Sequence, residues 1–187
     1  GTGQLVKEGL GSLTLTGSNS YAGGTTINAG SLVVSQDGNL GQAGTGVVIN
    51  NATLSLSDTV AIDRTLALTG ITATVNTVTG SSSLVKEVSG TGQLVKEGLG
   101  SLTLTGANSY EGGTVVNSGT LAISKNANLG KAGTNLAINN ATLALTDNVS
   151  VDRTISLANS ATIDTSTFNS SVTGVISGSG QLVKAGS

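Results

Sequence analysis

The sequence contains no histidine, cysteine, proline, methionine or tryptophan, and only two tyrosines and one phenylalanine among 187 residues. Without histidine and cysteine, a Ser-His-Asp or Cys-His nucleophile and any His-containing metal site are excluded. The missing cysteines fit an exported protein as well as a cytosolic one, so they do not place the compartment. Among the usual hydrolytic groups, only the carboxylates remain as candidates.

Charge is also scarce, with 10% of residues charged and a formal net charge of −2. This balance predicts neither the basic surface of a nucleic-acid-binding protein nor a strongly acidic tail. No stretch approaches the ~20 apolar residues of a membrane helix and no signal peptide follows Gly1, so we expect no direct membrane insertion and place any targeting segment elsewhere. The 37% of hydrophobic residues are enough for a core and argue against disorder.

A long internal repeat organises the chain. Residues 1–17, GTGQLVKEGLGSLTLTG, recur unchanged at residues 90–106, which is an offset of 89 residues (90 minus 1). A one-residue deletion near Gly70 then shortens the offset to 88, as in 178 minus 90. The sequence therefore predicts one continuous fragment, 1–187, made of copy one (1–89), copy two (90–177) and the start of a third copy (178–187).

Within each copy, short runs alternate apolar and polar residues with a period of two, which is the pattern of β-strands. Breaks rich in Gly, Asn or Asp separate these runs at intervals too short for an α-helix. The clearest runs are 12–16, 25–28, 31–35, 53–57 and 65–69. The sequence therefore predicts an all-β chain of many short strands.

Near-identical tandem copies favour a stacked solenoid over a sandwich or a propeller, whose blades need roughly 40 to 50 residues and usually carry aromatic landmarks. We predict a right-handed parallel β-helix, a single-stranded β-solenoid, with about 20 to 24 residues per coil and about eight coils. At ~4.8 Å per coil, the rod would be about 40 Å long. Leu, Val and Ile stack inward and Gly makes the corners, while aromatic side chains are expected to be too wide for the core.

The fixed positions also follow a recognisable order. Gly-x-Gly-x-Leu-x-Lys-x-Gly-x-Gly-x-Leu-x-Leu-x-Gly, followed by Asn-x-Tyr-x-Gly-Gly-Thr-x-x-Asn-x-Gly-x-Leu, resembles the passenger-associated transport repeat of bacterial autotransporters, in the β-helical adhesin type of type V secretion. The positions that carry the resemblance are Gly3, Leu5, Lys7, Gly9, Gly11, Leu13, Leu15, Gly17, Asn19, Tyr21, Gly23, Gly24, Thr25, Asn28, Gly30 and Leu32, then Gly92, Leu94, Lys96, Gly98, Gly100, Leu102, Leu104, Gly106, Asn108, Tyr110, Gly112, Gly113, Thr114, Gly119 and Leu121.

The resemblance implies a segment of a passenger that is exported across the outer membrane and lies on the extracellular side of the bacterial cell surface or is secreted. It implies two partners in the parent chain, the flanking β-helix coils and a C-terminal β-barrel translocator, and other cells or a host surface as further contacts. In that family, such repeats are viewed as supporting passenger folding and secretion and as a stalk that displays functional regions.

Carboxylates are the remaining candidates for hydrolysis. A glycosidase needs two acids about 5 to 9.5 Å apart, and Asp58 with Asp63 is a pair that the sequence offers. Most acids recur with the repeat, as turn or ladder residues would, so we expect solvated roles and predict no catalytic residue, cofactor or metal. The acids are Glu8, Asp37, Asp58, Asp63, Glu87, Glu97, Glu111, Asp147, Asp152 and Asp164.

Adjacent opposite charges recur at equivalent places in the two copies. We interpret them as local caps or ion pairs at a corner rather than as ligand-binding pairs. The pairs are Asp63-Arg64, Asp152-Arg153, Lys7-Glu8 and Lys96-Glu97.

Asparagines mark the turns. Asn50-Asn51 and Asn139-Asn140 are predicted turn residues whose side chains stack in a ladder. Asp37-Gly38-Asn39 has some character of a calcium loop, but further spaced acids are missing and its equivalent is Asn126-Ala127-Asn128, so calcium is not predicted.

Tyr21 and Tyr110 are the most distinctive single positions. An exposed aromatic ring on a Thr-rich rod could stack on a sugar, but we favour a ring that packs over a coil-to-coil loop or beside the Gly-Gly turn. The Thr-x-Thr runs, such as Thr14 with Thr16, do not predict an ice-binding array, because two repeats lie too far apart in the stack.

Three functions follow, in order of preference. The first is a structural rod that supports secretion and displays other regions, because nearly identical copies stack stepwise. The second is direct adhesion or self-association through solenoid faces or uncapped coil ends. The third is a β-helical polysaccharide-degrading enzyme, which would need acids and basic residues clustered on one face. The sequence predicts a protein that is not an enzyme.

Overall fold

The computed structural model describes residues 1–187 and contains 21 strands and two 3₁₀ helices, with no α-helix. The 3₁₀ helices are Asp37–Leu40 and Asn126–Leu129. The strands are β1 (Leu5–Lys7), β2 (Ser12–Leu15), β3 (Thr25–Ile27), β4 (Ser31–Val34), β5 (Val47–Asn50), β6 (Thr53–Leu56), β7 (Ala61–Ile62), β8 (Leu66–Thr69), β9 (Thr72–Thr77), β10 (Ser81–Leu84), β11 (Val88–Gly90), β12 (Gln93–Glu97), β13 (Ser101–Leu104), β14 (Thr114–Val116), β15 (Thr120–Ile123), β16 (Leu136–Leu145), β17 (Ser150–Val151), β18 (Ile155–Asp164), β19 (Ser171–Val172), β20 (Ile176–Gly178) and β21 (Gln181–Ala185).

Every strand pair is parallel, and the paired residues lie one coil apart along the chain. Successive residues in one column of paired positions are between 19 (32 minus 13) and 22 (54 minus 32) residues apart. The column has nine rungs, so the predicted parallel β-helix of about eight coils is confirmed. Its rungs are Leu13, Leu32, Leu54, Val75, Lys96, Val116, Ile138, Leu157 and Gly178.

The core lies inside the coils because the period of two sends every second side chain inward. The strand β9, for example, alternates half-buried and buried residues along its whole length. Buried Leu, Val, Ile and Ala residues make up almost all of a single cluster of 36 side chains. Dispersion contacts between like side chains one coil apart thus run the length of the rod.

The expectation that aromatic rings are too wide for the core is wrong for Tyr110, which is fully buried within this cluster. The reason is local. In the coil that contains β14 and β15, the third segment is the 3₁₀ helix Asn126–Leu129 and a turn instead of a strand. The ring lies against this turn at Gly130, which has no side chain.

Candidate functional site

The carboxylates do not assemble into a hydrolytic pair. Asp58 accepts a hydrogen bond from the amide of Thr59 at 2.7 Å, whereas Asp63 forms an ion pair with Lys86 at 3.2 Å. No group of three or more His, Cys, Asp or Glu side chains is placed to hold a metal ion. The side chains that the structure does bring together are those of the repeat motif, and they hold the coils.

The first of these is the motif lysine. Lys96 is fully buried, and its Nζ donates to the carbonyl oxygens of Glu97 and Gly98 at 2.8 Å and of Ser118, one coil further, at 3.1 Å. Lys7 makes the same three contacts in copy one, at 2.6–3.1 Å. Of the two predicted roles, the local cap is confirmed and the ion pair with the adjacent glutamate is not formed. Burial lowers the pKa of Lys96 to about 8, although the nearby Glu97 carboxylate partly opposes this shift.

The glutamates next to these lysines start a ladder of amides instead. Glu97 accepts a hydrogen bond from Asn117 Nδ2 at 2.6 Å, and Asn117 Oδ1 accepts one from Asn139 Nδ2 at 2.8 Å. In copy one, Asn50 Nδ2 donates to Asn28 Oδ1 at a longer 3.4 Å. The predicted asparagine ladder is confirmed and spans three coils.

The turn prediction is confirmed for Asn51, whereas Asn50 and Asn139 are strand residues and Asn140 lies at an irregularity inside β16. Asn51 and Asn140 have φ angles of 50° and 48°, in the left-handed region that asparagine tolerates better than most residues. The side chain of Asn51 accepts hydrogen bonds from the amides of Ile71 at 2.8 Å and Thr72 at 3.2 Å. This asparagine therefore makes one corner and also caps the corner of the next coil.

The second cationic group is the arginine of the Asp-Arg-Thr segment. Arg64 is 1% exposed, and its Nε and Nη2 atoms bind the two carboxylate oxygens of Asp37 at 2.8 and 3.0 Å. The same guanidinium donates to the carbonyl oxygens of Leu40, Gly41 and Gln42 at 2.9–3.1 Å. The predicted ion pair between adjacent residues is wrong for Asp63 and Arg64, because Arg64 reaches back by one coil. It is confirmed for Asp152 and Arg153, whose charged groups lie 3.7 Å apart. We call residues 37–45 and their equivalents, 126–134, the arginine-bound loops.

Copy two has the same arrangement with one change of chemistry. Asn126 stands where copy one has Asp37, so Arg153 Nε donates to an amide oxygen at 3.2 Å. The nearest carboxylate is that of Asp152, at 3.7 Å and more than half exposed. Burial lowers the pKa of Arg153, and Asp152 partly compensates. The two copies thus provide a natural comparison between a charged and a neutral partner.

A buried asparagine fixes the start of each arginine-bound loop. Asn39 Oδ1 accepts hydrogen bonds from the amides of Ser35 and Gln36 at 3.0 Å, and its Nδ2 donates to the carbonyl of Gly17 in the preceding coil, also at 3.0 Å. Asn128 does the same in copy two. The Asp37-Gly38-Asn39 segment therefore binds the protein's own arginine and backbone.

The motif tyrosines pack inward, as the favoured interpretation predicts. Tyr110 donates to or accepts from Thr114 Oγ1 at 2.6 Å, and burial raises its pKa. Tyr21 makes the same contact with Thr25 at 2.8 Å and is partly exposed. Gly130 lies against the Tyr110 ring, where a Cβ would come within 2.7 Å of a ring carbon. Neither ring forms an open platform for sugar stacking.

The leucines of the motif occur in two environments although their sequence is identical. Leu102 is completely buried, because β13 lies between two coils. Its copy-one equivalent, Leu13, is 37% exposed, since β2 pairs only with the coil that follows. Val95 and Val6 differ in the same way, at 9% and 47% exposed. The motif therefore gains its burial from a neighbouring coil on each side.

The sequence pattern singles out Lys7, Lys96, Arg64 and Arg153 but does not indicate their partners. One signal for the lysines was available, because alternation along β1 and β12 places each lysine on the same side as an inward leucine two residues earlier. The arginine partners lie up to 27 residues away. No local pattern points to such a contact unless the coil length is already known.

No helix in the structure has the length and apolar character needed to cross a membrane.

Comparison with known proteins gives one family. Residues 5–34 and 94–123 match the model of the passenger-associated transport repeat. The chain is also 44% identical over 70 residues to a protein of Brucella suis biovar 1 (strain 1330) named adhesin BmaC autotransporter. This alignment covers 37% of the chain and 2% of that much longer protein. No solved structure matches the chain.

These matches coincide with the geometry. Each matched segment begins at the lysine strand and ends on the strand that precedes the arginine-bound loop. The similarity to an autotransporter adhesin supports a place at the bacterial cell surface or in the secreted fraction. Two segments within one parallel β-helix are therefore similar to the passenger-associated transport repeat of autotransporters.

Proposed function

We propose that the chain is a structural rod within an autotransporter passenger, which supports folding and secretion across the outer membrane and displays functional regions at the cell surface. The observation that carries this proposal is the direction of the motif side chains. The lysines, arginines, tyrosines and buried asparagines of both copies bind the chain's own backbone or its neighbouring coils. These side chains hold adjacent coils together.

The range of these contacts favours stepwise folding. The side-chain hydrogen bonds between coils join residues at most 27 positions apart, so each coil depends on its immediate neighbours. A solenoid with nearest-neighbour contacts can fold coil by coil from an existing end. A passenger that emerges as an extended chain could therefore add coils outside the cell as they appear. A translocator elsewhere in the parent chain is the partner that this role requires.

The test uses the full-length parent gene in its own bacterium. Removing residues 12–100 joins Gly11 to Ser101 and deletes one copy without changing the motif at the junction. We expect less passenger at the surface, measured with an antibody on intact cells. The matched control is Asp58→Asn with Asp147→Asn, two exposed acids outside the motif contacts, and we expect it to leave display unchanged. Undiminished display after the deletion would contradict the proposal.

Direct adhesion or self-association is the second candidate. The adhesin name of the relative favours it. Concentration-dependent association that is abolished by a charge on one solenoid face, such as Thr53→Lys, would support this function. A strict monomer and no aggregation of cells that display the passenger would exclude it.

A further inference from the structure

The two full copies and the start of the third begin on three different columns of the rod. Lys7 stacks below Ile27, Lys96 stacks between Val75 and Val116 in the column that contains Leu13, and Lys184 stacks in the column that contains Leu102. By sequence, these three lysines are the same motif position. The motif therefore moves one column around the coil each time it recurs.

The cause is the length of the repeat. Four coils take 83 residues along the column from Leu13 to Lys96 (96 minus 13), but the copies are offset by 89. In the next copy, four coils take 82 residues from Leu102 to Lys184 (184 minus 102), and the offset is 88. Each copy is thus six residues longer than four coils. Six residues are about one strand and its turn, so the excess carries the motif to the next face.

The exposed side chains of each copy also move to the next side of the rod. Each copy contributes four hydroxyl side chains to a row on the outer side of one column, and each row ends at a valine in the next coil. At ~4.8 Å between rungs, four such side chains span about 14 Å. The rows are Ser12, Ser31, Thr53 and Thr74 in copy one and Ser101, Thr120, Thr142 and Thr162 in copy two. The second row also includes Ser81 of copy one, which pairs with Ser101.

We infer that tandem copies present their equivalent surfaces on three successive sides of the rod, so that only every third copy faces the same way. The hydroxyl rows of copy one and copy two therefore lie on different sides of the rod. The inference rests on strand register and is independent of the proposed role in secretion.

Distance measurements on the whole chain test this arrangement. Because the chain has no cysteine, spin labels can be attached at introduced cysteines alone. Thr14 and Glu97 lie four coils apart in one column, about 19 Å at ~4.8 Å per coil. Thr14 and Thr103 are equivalent positions of the two copies. We expect the Thr14→Cys/Glu97→Cys pair to give the shorter distance by several ångströms in pulsed electron resonance.

The opposite order would overturn the inference, because equal orientation of the copies places Thr14 directly below Thr103.

Discussion

The replacement Arg64→Met is the most informative single change, because methionine keeps much of the buried length and removes all donors. The guanidinium holds the first arginine-bound loop through Asp37 and through the carbonyls of Leu40 and Gly41. No strand ladder stabilises this loop, which consists of a 3₁₀ helix and a turn. We therefore expect the variant to keep the β-helix and to loosen residues 37–45.

The contacts of Arg64 determine how much local stability the variant should lose. Removing one partner of a buried ion pair costs about 3 to 5 kcal/mol when the other charge stays buried. Asp37 is a quarter exposed and can turn to water, so the lower end applies to the pair. Each buried carbonyl left without a donor costs about 1 to 3 kcal/mol, unless water enters the opened loop. The free energy of opening the loop should fall by about 3 kcal/mol, which corresponds to an equilibrium constant for opening that is about 100-fold larger.

Hydrogen exchange read by mass spectrometry measures this opening. The amide of Gln42 donates to the Tyr21 carbonyl in the preceding coil at 2.9 Å, and that bond reports on the loop. Peptides that cover 37–45 should exchange about 100-fold faster in Arg64→Met. The equivalent peptides from 126–134, in the same sample, serve as the control and should not change. Arg153→Met should produce the reverse pattern.

Two results would refute this reasoning. Equal acceleration in both loops would mean that the variant destabilises the rod as a whole, so that the arginine is no local anchor. Unchanged exchange at 37–45 would mean that the 3₁₀ helix holds the loop without the guanidinium. The natural difference between Asp37 and Asn126 adds a third measurement, since Asn126→Asp should slow exchange in the second loop.

Three further changes test the other motif positions. The pKa of Lys96 in the folded protein, about 8, lies below its ordinary value of 10.5, so above pH 8 the unfolded chain binds more protons than the folded protein. The free energy of unfolding should therefore rise between pH 8 and 9.5. In urea unfolding, the Lys96→Met variant should lack this part of the rise in the midpoint. Tyr110→Phe should cost about 1 kcal/mol in urea unfolding because its hydroxyl contact is buried, whereas Tyr21→Phe should cost less; equal losses would contradict this. Gly119 and Gly133 both have positive φ, but a Cβ at Gly119 would clash with carbonyl oxygens of the turn in the preceding coil, whereas a Cβ at Gly133 would lie in open space. Gly119→Ala should therefore lower stability by more than Gly133→Ala. Similar urea midpoints for the two variants would contradict this steric argument.

Much of the fold was predictable because the signal is local. Alternation in runs such as 31–35 marks both the strand and its inward face, and the buried Leu32 and Val34 follow that parity. The identical repeat then implies stacking, which a single copy would not. The turn at Asn51 was predictable for the same reason, since asparagine is among the few residues that adopt positive φ readily.

The arginine contacts and the buried Tyr110 were not predictable in this way. Arg64 lies beside Asp63 in sequence but binds Asp37, and only the coil length of about 22 residues brings the two together. Tyr110 fits inside because a 3₁₀ helix replaces a strand on the third side of a neighbouring coil, and the alternating pattern does not mark that replacement. Both errors come from the path of the chain between strands.

The buried cations have a common physical reason. Strand carbonyls in a solenoid are satisfied by the coil above or below, and so are some carbonyls of the 3₁₀ helices, such as those of Gly38 and Ala127. Other carbonyls in turns and 3₁₀ segments accept from side chains instead, because leaving them buried without donors is costly. Lysine and arginine carry three and five donors and no acceptor, so one side chain can satisfy several such oxygens. The chain has eight basic residues and buries four of them, Lys7, Arg64, Lys96 and Arg153, at irregular segments. Half of its positive charge therefore serves backbone hydrogen bonding, which explains how a sparsely charged rod can depend strongly on individual charged residues.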